Sequence, residues 1–324
     1  MKLKMTLLIS TFVLLWVNMA HAVNLPGPLV ETDWLAKNQK DVVILEIRKD
    51  VKSFTKKPVF KKDKKSGKQI LKKVAGHIPG SILVDYKKLR TKKKIDGRTV
   101  QKMVVGKTAF EKLMQASGVN KDSKIVIVSK GENNGHLTTA TRFYWQMKYY
   151  GHDDMAILNG GMAQWIIDER KVSSKATKAK KGNWLATAER KEILATSKEV
   201  AASVKEKSQL VDTRSISLYL GTWRKKSYVY ANGHIPGAKL FPNELLSSKM
   251  PAKFLDVSIS KTLFEEMGVN TEKKSITYCN SGHLATGSWF VLSELMGNKN
   301  VKMYDGSMHQ WTLEKRNVTK FKME

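Results

Sequence analysis

The chain has 324 residues, of which 41% are hydrophobic and 27% are charged. This composition is typical of a globular protein and excludes a disordered or fibrous one, and the length favours two domains. The 58 Lys and Arg residues outnumber the 29 Asp and Glu residues and give a formal charge of +29, which favours contact with anions such as nucleic acid, acidic lipid or small anionic substrates. The single cysteine, Cys279, excludes an intramolecular disulfide and a zinc site of the paired-cysteine type.

Residues 1–22 have the pattern of a secretory signal peptide. Lys2 and Lys4 precede an apolar stretch from Met5 to Val17, and Ala20-His21-Ala22 follows as a small-residue cleavage site. The apolar stretch is shorter than the roughly 20 residues that cross a bilayer. We expect cleavage after Ala22, export to a bacterial periplasm and no stable membrane insertion afterwards. An uncleaved anchor is the alternative.

The rest of the chain repeats itself in one order, which predicts a duplicated domain. Ala75–Ser81 (AGHIPGS) recurs as Asn232–Ala238 (NGHIPGA), and Val43–Arg48 recurs loosely as Gln209–Arg214. Three more pairs follow in the same order: Gly118-Val119-Asn120 with Gly268-Val269-Asn270, Gly135-His136-Leu137 with Gly282-His283-Leu284, and Leu158–Trp165 with Tyr304–Trp311.

Short apolar runs alternate with helical patterns in each copy. In the second copy, Gln209–Asp212, Ser275–Tyr278 and Lys299–Tyr304 are predicted strands, and Leu284–Met296 has apolar residues at helical spacing. This alternation predicts an α/β fold in which each copy is a small parallel sheet flanked by helices.

The composition also suggests domain limits. We expect an N-terminal domain over residues 23–170, a Lys-rich linker over 171–192 and a C-terminal domain over 193–324. A second Lys-rich stretch, Lys52–Lys73, lies between the first strand and the first GHIPG sequence. It is predicted to be a solvated loop insertion, and docking to an anionic partner is the alternative.

Cys279 directly follows a predicted strand and precedes a Gly-containing loop and a helix. The ends of parallel strands and the starts of helices line the ligand crevice of such sheets. Loop N–H groups and a helix N-terminus can stabilise an anion there, including a thiolate. The sequence therefore predicts a nucleophilic thiol, although a lone cysteine can also be a small buried hydrophobic residue.

The chain from about residue 28 to 320 resembles a tandem-domain rhodanese-type sulfurtransferase of the thiosulfate/3-mercaptopyruvate family. The resemblance rests on Leu29-Val30 with Trp34-Leu35, on both GHIPG copies, on the Cys279 loop, and on Tyr304–Ser307 with Trp311. It implies two rhodanese-like domains, of which only the C-terminal one is catalytic. Ser129 aligns with Cys279 in the first copy, so we expect the N-terminal domain to be non-catalytic.

The resemblance also implies a mechanism without a metal or an organic cofactor. Cys279 would take sulfane sulfur from a small anionic donor, thiosulfate or 3-mercaptopyruvate, and pass it to cyanide or a thiol through a persulfide. The N–H groups of Asn280, Ser281, Gly282, His283, Leu284 and Ala285 are expected to hold the persulfide. Ser281 occupies the position that helps to handle substrate in mercaptopyruvate-type members. His283 could hold an anion or tune Cys279 as a cation, and a packing role is equally open.

The expected substrate clamp departs from the family pattern. Related enzymes place an Arg where this chain has Leu218. Arg224, Lys225 and Lys226 follow within five residues of Gly221 and could supply the missing charge, with His77 as a further candidate near the interdomain cleft. His77 and His234 share the GHIPG turn, so a structural role is the alternative for both.

Three other functions were weighed against sulfur transfer. A Cys-based phosphatase needs an Arg six residues after its Cys, and Ala285 stands there. A non-turnover relay that carries a persulfide to a partner protein remains open. Nucleic-acid binding is suggested by charge alone, lacks a recognisable motif and is disfavoured by export.

Overall fold

The computed structural model describes residues 23–321. The predicted signal peptide at 1–22 lies outside the described residues. Among residues 23–321, no helix is both long enough and apolar enough to cross a membrane.

The first domain is built on a five-stranded parallel sheet of order β1-β9-β8-β2-β5. Its strands are β1 Leu29–Val30, β2 Val43–Arg48, β3 Val59–Lys62, β4 Gln69–Lys73, β5 Ile82–Asp85, β6 Arg90–Ile95, β7 Arg98–Val104, β8 Ile125–Val128 and β9 Met155–Leu158. Its helices are α1 Thr32–Asn38, α2 Lys107–Ala116, α3 Asn134–Tyr149 and α4 Gly161–Ile167. Strands β3 with β4, and β6 with β7, form two antiparallel hairpins outside the sheet.

The second domain repeats this sheet with the order β10-β14-β13-β11-β12, also parallel. Its strands are β10 Leu194–Ala195, β11 Gln209–Asp212, β12 Lys239–Leu240, β13 Ser275–Tyr278 and β14 Val301–Tyr304. Its helices are α5 Ser197–Lys205, α6 Ile216–Leu220, α7 Val257–Glu266, α8 Ala285–Phe290, which continues as a π-helical turn over Val291–Leu295, and α9 Ser307–Leu313. The predicted α/β fold with two parallel sheets is confirmed, whereas the predicted domain limits stay predictions.

Both faces of the first sheet are buried at its centre, which is why β8 and β9 are apolar at every position. In β8, Ile125 and Ile127 point into a core shared by the two domains, and Val126 and Val128 point into a core of the first domain alone. Helices α3 and α8 meet in the shared core, where Tyr144 packs edge-on against Phe290 at 4.9 Å between ring centroids. The domains therefore form a continuous hydrophobic interior at their interface.

The repeated GHIPG turns have the same structural role in the two domains. His77 Nδ1 lies 2.8 Å from the carbonyl oxygen of Phe54 and its ring stacks on that phenyl ring. His234 makes the same contacts with Tyr219, at 2.7 Å from the carbonyl oxygen. Because the two copies agree and only the second domain contains the cysteine, these contacts belong to the fold.

The segment Lys52–Lys73 was predicted to be a solvated loop, and this prediction is wrong in part. It contains the β3–β4 hairpin, preceded by a 3₁₀ turn at Val51–Thr55. The hairpin forms because Leu71 is buried in the core of the first domain, which fixes the strand register. The lysine side chains remain exposed.

Candidate active site

Cys279 lies at the carboxyl end of β13, in the loop that leads into α8. Its side chain is 2% exposed. The backbone is held on both sides by the start of α9: Cys279 N–H donates to Ser307 Oγ at 3.1 Å, and Met308 N–H donates to the Cys279 carbonyl at 3.0 Å. The thiol is therefore set on a rigid strand end rather than on a mobile loop.

Gly282 allows the loop to turn back over the sheet. Its φ is +64°, and a Cβ atom there would lie 2.6 Å from Asp305 Oδ1. Gly282 also donates its N–H to Ser307 Oγ at 2.9 Å, and its carbonyl accepts a hydrogen bond from Arg142 Nη1 at 2.9 Å. A residue with a side chain would be strained here and would also clash.

The buried ion pair between Arg142 and Asp305 joins the two domains beneath the loop. Arg142 Nη1 lies 2.6 Å from Asp305 Oδ1, and neither side chain is more than 1% exposed. Asp305 Oδ2 accepts a further hydrogen bond from the Val104 N–H of β7 at 2.7 Å. The loop conformation therefore depends on residues of the first domain.

The loop amides are divided between the sulfur, the scaffold and the cavity. Ser281 N–H points to Cys279 Sγ at 3.4 Å, whereas the Gly282 N–H is used by Ser307. Among the described residues, the N–H groups of Asn280, His283 and Leu284 have no hydrogen-bond acceptor. Ala285 begins α8 and is fully buried. The predicted ring of six donors is thus reduced to one amide on the thiol and three that are free to bind an anion.

A cavity of about 550 Å³ opens beside Cys279, between the domains. From the first domain it is lined by Lys49, Tyr86, Lys87, Arg90 and Lys102, and from the second by Trp223, Lys225, Tyr228, Cys279, Asn280, Ser281, His283 and Leu284. Five of these residues are cationic at neutral pH and, within this lining, none is acidic. An anion that entered the cavity would meet positive charge from both domains.

The lysines of the cavity are crowded enough to affect each other. Burial, together with the nearby charges of Arg90 and Lys102, lowers the pKa of Lys49 below its usual value. Burial, with Arg90 and Lys225, lowers the pKa of Lys102 in the same direction. Lys102 Nζ also lies 3.7 Å from the centroid of the Tyr228 ring. A bound anion would relieve this mutual repulsion.

Arg90 connects the β6–β7 hairpin to the cysteine loop. Its Nη2 donates to the Ser281 carbonyl, and its Nη1 donates to Tyr86 Oη at 2.7 Å. Burial raises the pKa of Tyr86, so the phenol stays protonated at neutral pH. Arg90 and Tyr86 thus fix the side of the cavity that faces Cys279.

His283 is neutral at neutral pH. Burial, and then the charges of Lys49 and Arg90, lower the pKa of the imidazole well below its usual value. Its Nδ1 lies 2.5 Å from Tyr86 Oη, and its Nε2 lies 3.2 Å from both Lys49 Nζ and Thr138 Oγ1. The cationic role considered for His283 is therefore not supported, because its neighbours already carry the positive charge.

Three of the four residues predicted as a substrate clamp lie outside the cavity, and Lys225 is the exception. His77 is fully buried in its turn. Arg224 donates to Asn232 Oδ1 at 3.0 Å, and Lys226 is exposed and does not line the cavity. Lys225, between them, does line it. A sequence search within the second domain could not find Lys49, Arg90 or Lys102, because only the docking of the domains brings them to Cys279.

Comparison with known proteins agrees with this architecture. Residues 31–168 and 196–314 each match the rhodanese-like domain family. The chain is a tandem member of that family. A protein of Mycolicibacterium smegmatis named "Putative thiosulfate sulfurtransferase" is 30% identical over 292 residues, which cover 88% of this chain and 93% of the relative. The tandem rhodanese-type family that the sequence resembles is thus confirmed, and the chain belongs among sulfurtransferases.

Two further relatives extend the comparison. The "Sulfur carrier protein TtuD" of Thermus thermophilus is 28% identical over 298 residues, covering 88% of this chain and 94% of the relative. The crystal structure of SseA from Escherichia coli, described among 3-mercaptopyruvate sulfotransferases, matches with a TM-score of 0.68 at 24% identity, over 87% of this chain and 98% of that chain. At this identity the structural match shows the fold.

Proposed function

We propose that this rhodanese-type protein transfers sulfane sulfur from a small anionic donor, thiosulfate or 3-mercaptopyruvate, to cyanide or a thiol through a persulfide on Cys279. The observation that carries the proposal is the position of Cys279, with its sulfur on the Ser281 amide, in a cavity lined by five cationic residues. A thiolate is the nucleophilic form of cysteine, and the cations of the cavity would attract an anionic donor to it.

In the first half-reaction the Cys279 thiolate attacks the outer sulfur of the donor. A sulfur–sulfur bond forms on Cys279. With thiosulfate, the old sulfur–sulfur bond breaks and its electron pair leaves with sulfite. With 3-mercaptopyruvate, the carbon–sulfur bond breaks, and the pyruvate enolate that leaves takes a proton from solvent. The free N–H groups of Asn280, His283 and Leu284 are suited to hold the anionic part of the donor or the terminal persulfide sulfur.

In the second half-reaction the acceptor attacks the terminal sulfur of the persulfide. The bond to Cys279 breaks, its electron pair returns to the cysteine as thiolate, and thiocyanate or a new persulfide leaves. Since donor and acceptor use the same cavity in turn, the reaction is of the ping-pong type. The cationic lining suits the thiosulfate dianion and the anionic form of cyanide.

The test is to incubate the purified protein with each donor and no acceptor, and then to add cyanide. The proposal predicts a mass increase of one sulfur atom on Cys279, followed by repeated thiocyanate release. The ratio of kcat/KM for thiosulfate to that for 3-mercaptopyruvate identifies the preferred donor. If neither donor modifies Cys279, the proposal is wrong.

A relay of sulfur to a partner protein is the second candidate. It is favoured by Trp223, which lines the cavity although its side chain is 51% exposed, because a half-exposed aromatic residue at a cavity mouth can contact a macromolecule. In that case each protein would be loaded with one sulfur atom, cyanide would not remove it efficiently, and thiocyanate would not be released repeatedly.

We also propose that the protein is exported to the periplasm, on the basis of the sequence of residues 1–22. Expression in a bacterium, followed by fractionation and intact-mass measurement, tests this. Export predicts a chain that begins at Val23 in the periplasmic fraction, and a full-length chain in the cytoplasm contradicts it.

A further inference from the structure

The β3–β4 hairpin of the first domain has a concentration of charge that sulfur transfer does not use. Ten lysines lie between Lys52 and Lys73, with Asp63 as the only acidic residue of that segment. All ten are exposed, and within the part of the chain that the structure describes none of them forms a salt bridge. Asp63 is occupied locally, since its Oδ1 accepts hydrogen bonds from Lys65 N–H and Ser66 N–H.

Apolar side chains lie exposed among these lysines. Val59, Phe60 and Ile70 are 48%, 46% and 51% exposed. In the antiparallel register, Phe60 pairs with the buried Leu71, and Lys61 pairs with Ile70. Because side chains alternate along a strand, Ile70 and Lys61 occupy the hairpin face opposite Leu71, whereas Phe60 lies on the Leu71 face and still remains exposed.

We propose that the β3–β4 hairpin docks the protein on an anionic lipid bilayer. Unpaired lysines on a protein surface are attracted to acidic headgroups, and apolar residues beside them add to binding by entering the headgroup region. The hairpin combines the two. Polyanions such as nucleic acid would use the lysines but gain nothing from Phe60 and Ile70, so the exposed apolar residues favour the bilayer.

The linker provides a contrast on the same molecule. Lys175, Lys178, Lys180 and Lys181 are also exposed, but no large apolar side chain between Lys175 and Lys181 accompanies them. A general effect of net charge would be the same for lysines at either place. Docking through the hairpin would instead depend on the hairpin lysines and not on the linker lysines.

The experiment measures binding of the full chain to vesicles of phosphatidylglycerol with phosphatidylcholine, and to vesicles of phosphatidylcholine alone. Residues 1–22 are identical in all variants, so any binding that they cause is the same in each variant. The hairpin variant replaces Lys61, Lys64, Lys65 and Lys72 by Gln, and the linker variant replaces the four linker lysines by Gln. Each lysine near an anionic surface contributes about fivefold to affinity, so the hairpin variant should bind anionic vesicles at least about tenfold more weakly, and the linker variant close to wild type.

A third variant, Phe60→Ser with Ile70→Ser, separates a bilayer from other polyanions. It should bind anionic vesicles several-fold more weakly and bind double-stranded DNA like the wild type. If vesicle binding is unchanged in this variant, the hairpin is a polyanion patch and the bilayer assignment is wrong. Ile70→Ser alone serves if the double variant misfolds. Equal losses in the hairpin and linker variants would also overturn the proposal.

None of the exchanged residues lines the active-site cavity, so sulfur transfer should be unchanged in all of these variants. Transfer therefore also reports that each variant is folded.

Discussion

The two copies of one loop share a backbone arrangement but differ in what surrounds it. In the first domain, Met162 N–H donates to the Ser129 carbonyl at 2.8 Å, as Met308 N–H does to that of Cys279 in the second. Ser129 and Cys279 therefore occupy equivalent positions, as their alignment predicts. The surroundings of the two side chains differ.

In the first loop, charged side chains are bonded to each other and to the backbone. Lys130 Nζ lies 2.9 Å from Glu132 Oε2, and Glu132 Oε1 accepts a hydrogen bond from Val74 N–H at 2.9 Å. The second loop has no carboxylate of its own, and three of its amides are free. We therefore expect an external anion to bind at the second loop, where amides and the cations of the cavity are left for it, and not at the first.

Replacing the nucleophile should have the largest effect. Cys279→Ser exchanges sulfur for oxygen at nearly constant volume, and a serine in this loop has no base to activate it. Sulfur transfer to cyanide should fall more than about 10³-fold, while the denaturant midpoint stays close to wild type. Retained transfer would show that the loop comparison misidentifies the reacting group.

Breaking the buried pair beneath the second loop should have the next largest effect. Arg142→Met leaves Asp305 buried without its partner, which costs about 3–5 kcal/mol in the free energy of unfolding measured with urea. Arg170→Met is the control, because Arg170 pairs with an exposed Asp33 and surface pairs contribute about 0–1 kcal/mol. Equal losses for the two variants would mean that the buried interdomain pair contributes no more to the free energy of unfolding than a surface pair.

The contribution of the first domain to donor binding can be measured through Lys102. Lys102→Met removes a cavity cation, and a charge-assisted contact is worth about 1.5–3 kcal/mol. We expect KM for an anionic donor to rise about tenfold or more, with kcat little changed. Lys92→Met, on the same hairpin but outside the cavity, should leave KM unchanged. If both variants behave alike, the cavity does not bind the donor through Lys102.

Donor binding should also weaken in alkaline solution. Because the pKa of Lys49 and that of Lys102 are lowered from 10.5, these cations are lost at a lower pH than free lysine. KM should therefore rise several-fold as pH increases toward 10.5. Arg stays charged at this pH, so Lys49→Arg combined with Lys102→Arg should flatten the KM profile. An unchanged profile would exclude the two lysines as its cause.

The smallest effect is expected at the serine of the first loop. Ser129→Ala should change kcat/KM by less than about twofold and the free energy of unfolding by less than about 0.5 kcal/mol, as for substitutions away from charged networks. A large loss of transfer would show that the first loop takes part in the chemistry.

Much of the fold, and the position of Cys279 between a strand and a helix, could be predicted from local sequence. The strands around Cys279 are indicated by short runs rich in apolar residues, and the duplication predicts that both domains have one fold. The first-domain cations of the cavity could not be predicted, because Arg90 and Lys102 lie far from Cys279 along the chain. Both lie in the β6–β7 hairpin, and no equivalent hairpin occurs among the described residues of the second domain. Likewise, nothing in the loop sequence shows that burial, together with the charges of Lys49 and Arg90, lowers the pKa of His283.

The sequence by itself determined the duplicated α/β fold and the strand–cysteine–loop–helix unit, since both depend on contacts between residues close in sequence or on patterns that recur. Only the tertiary structure decided which cations face the thiol and which loop amides remain free. The physical reason is that the cavity lies between two domains. The positive charge of the cavity depends on how α3, β6 and β7 pack against the second domain. The residue pattern of a single segment does not predict such packing.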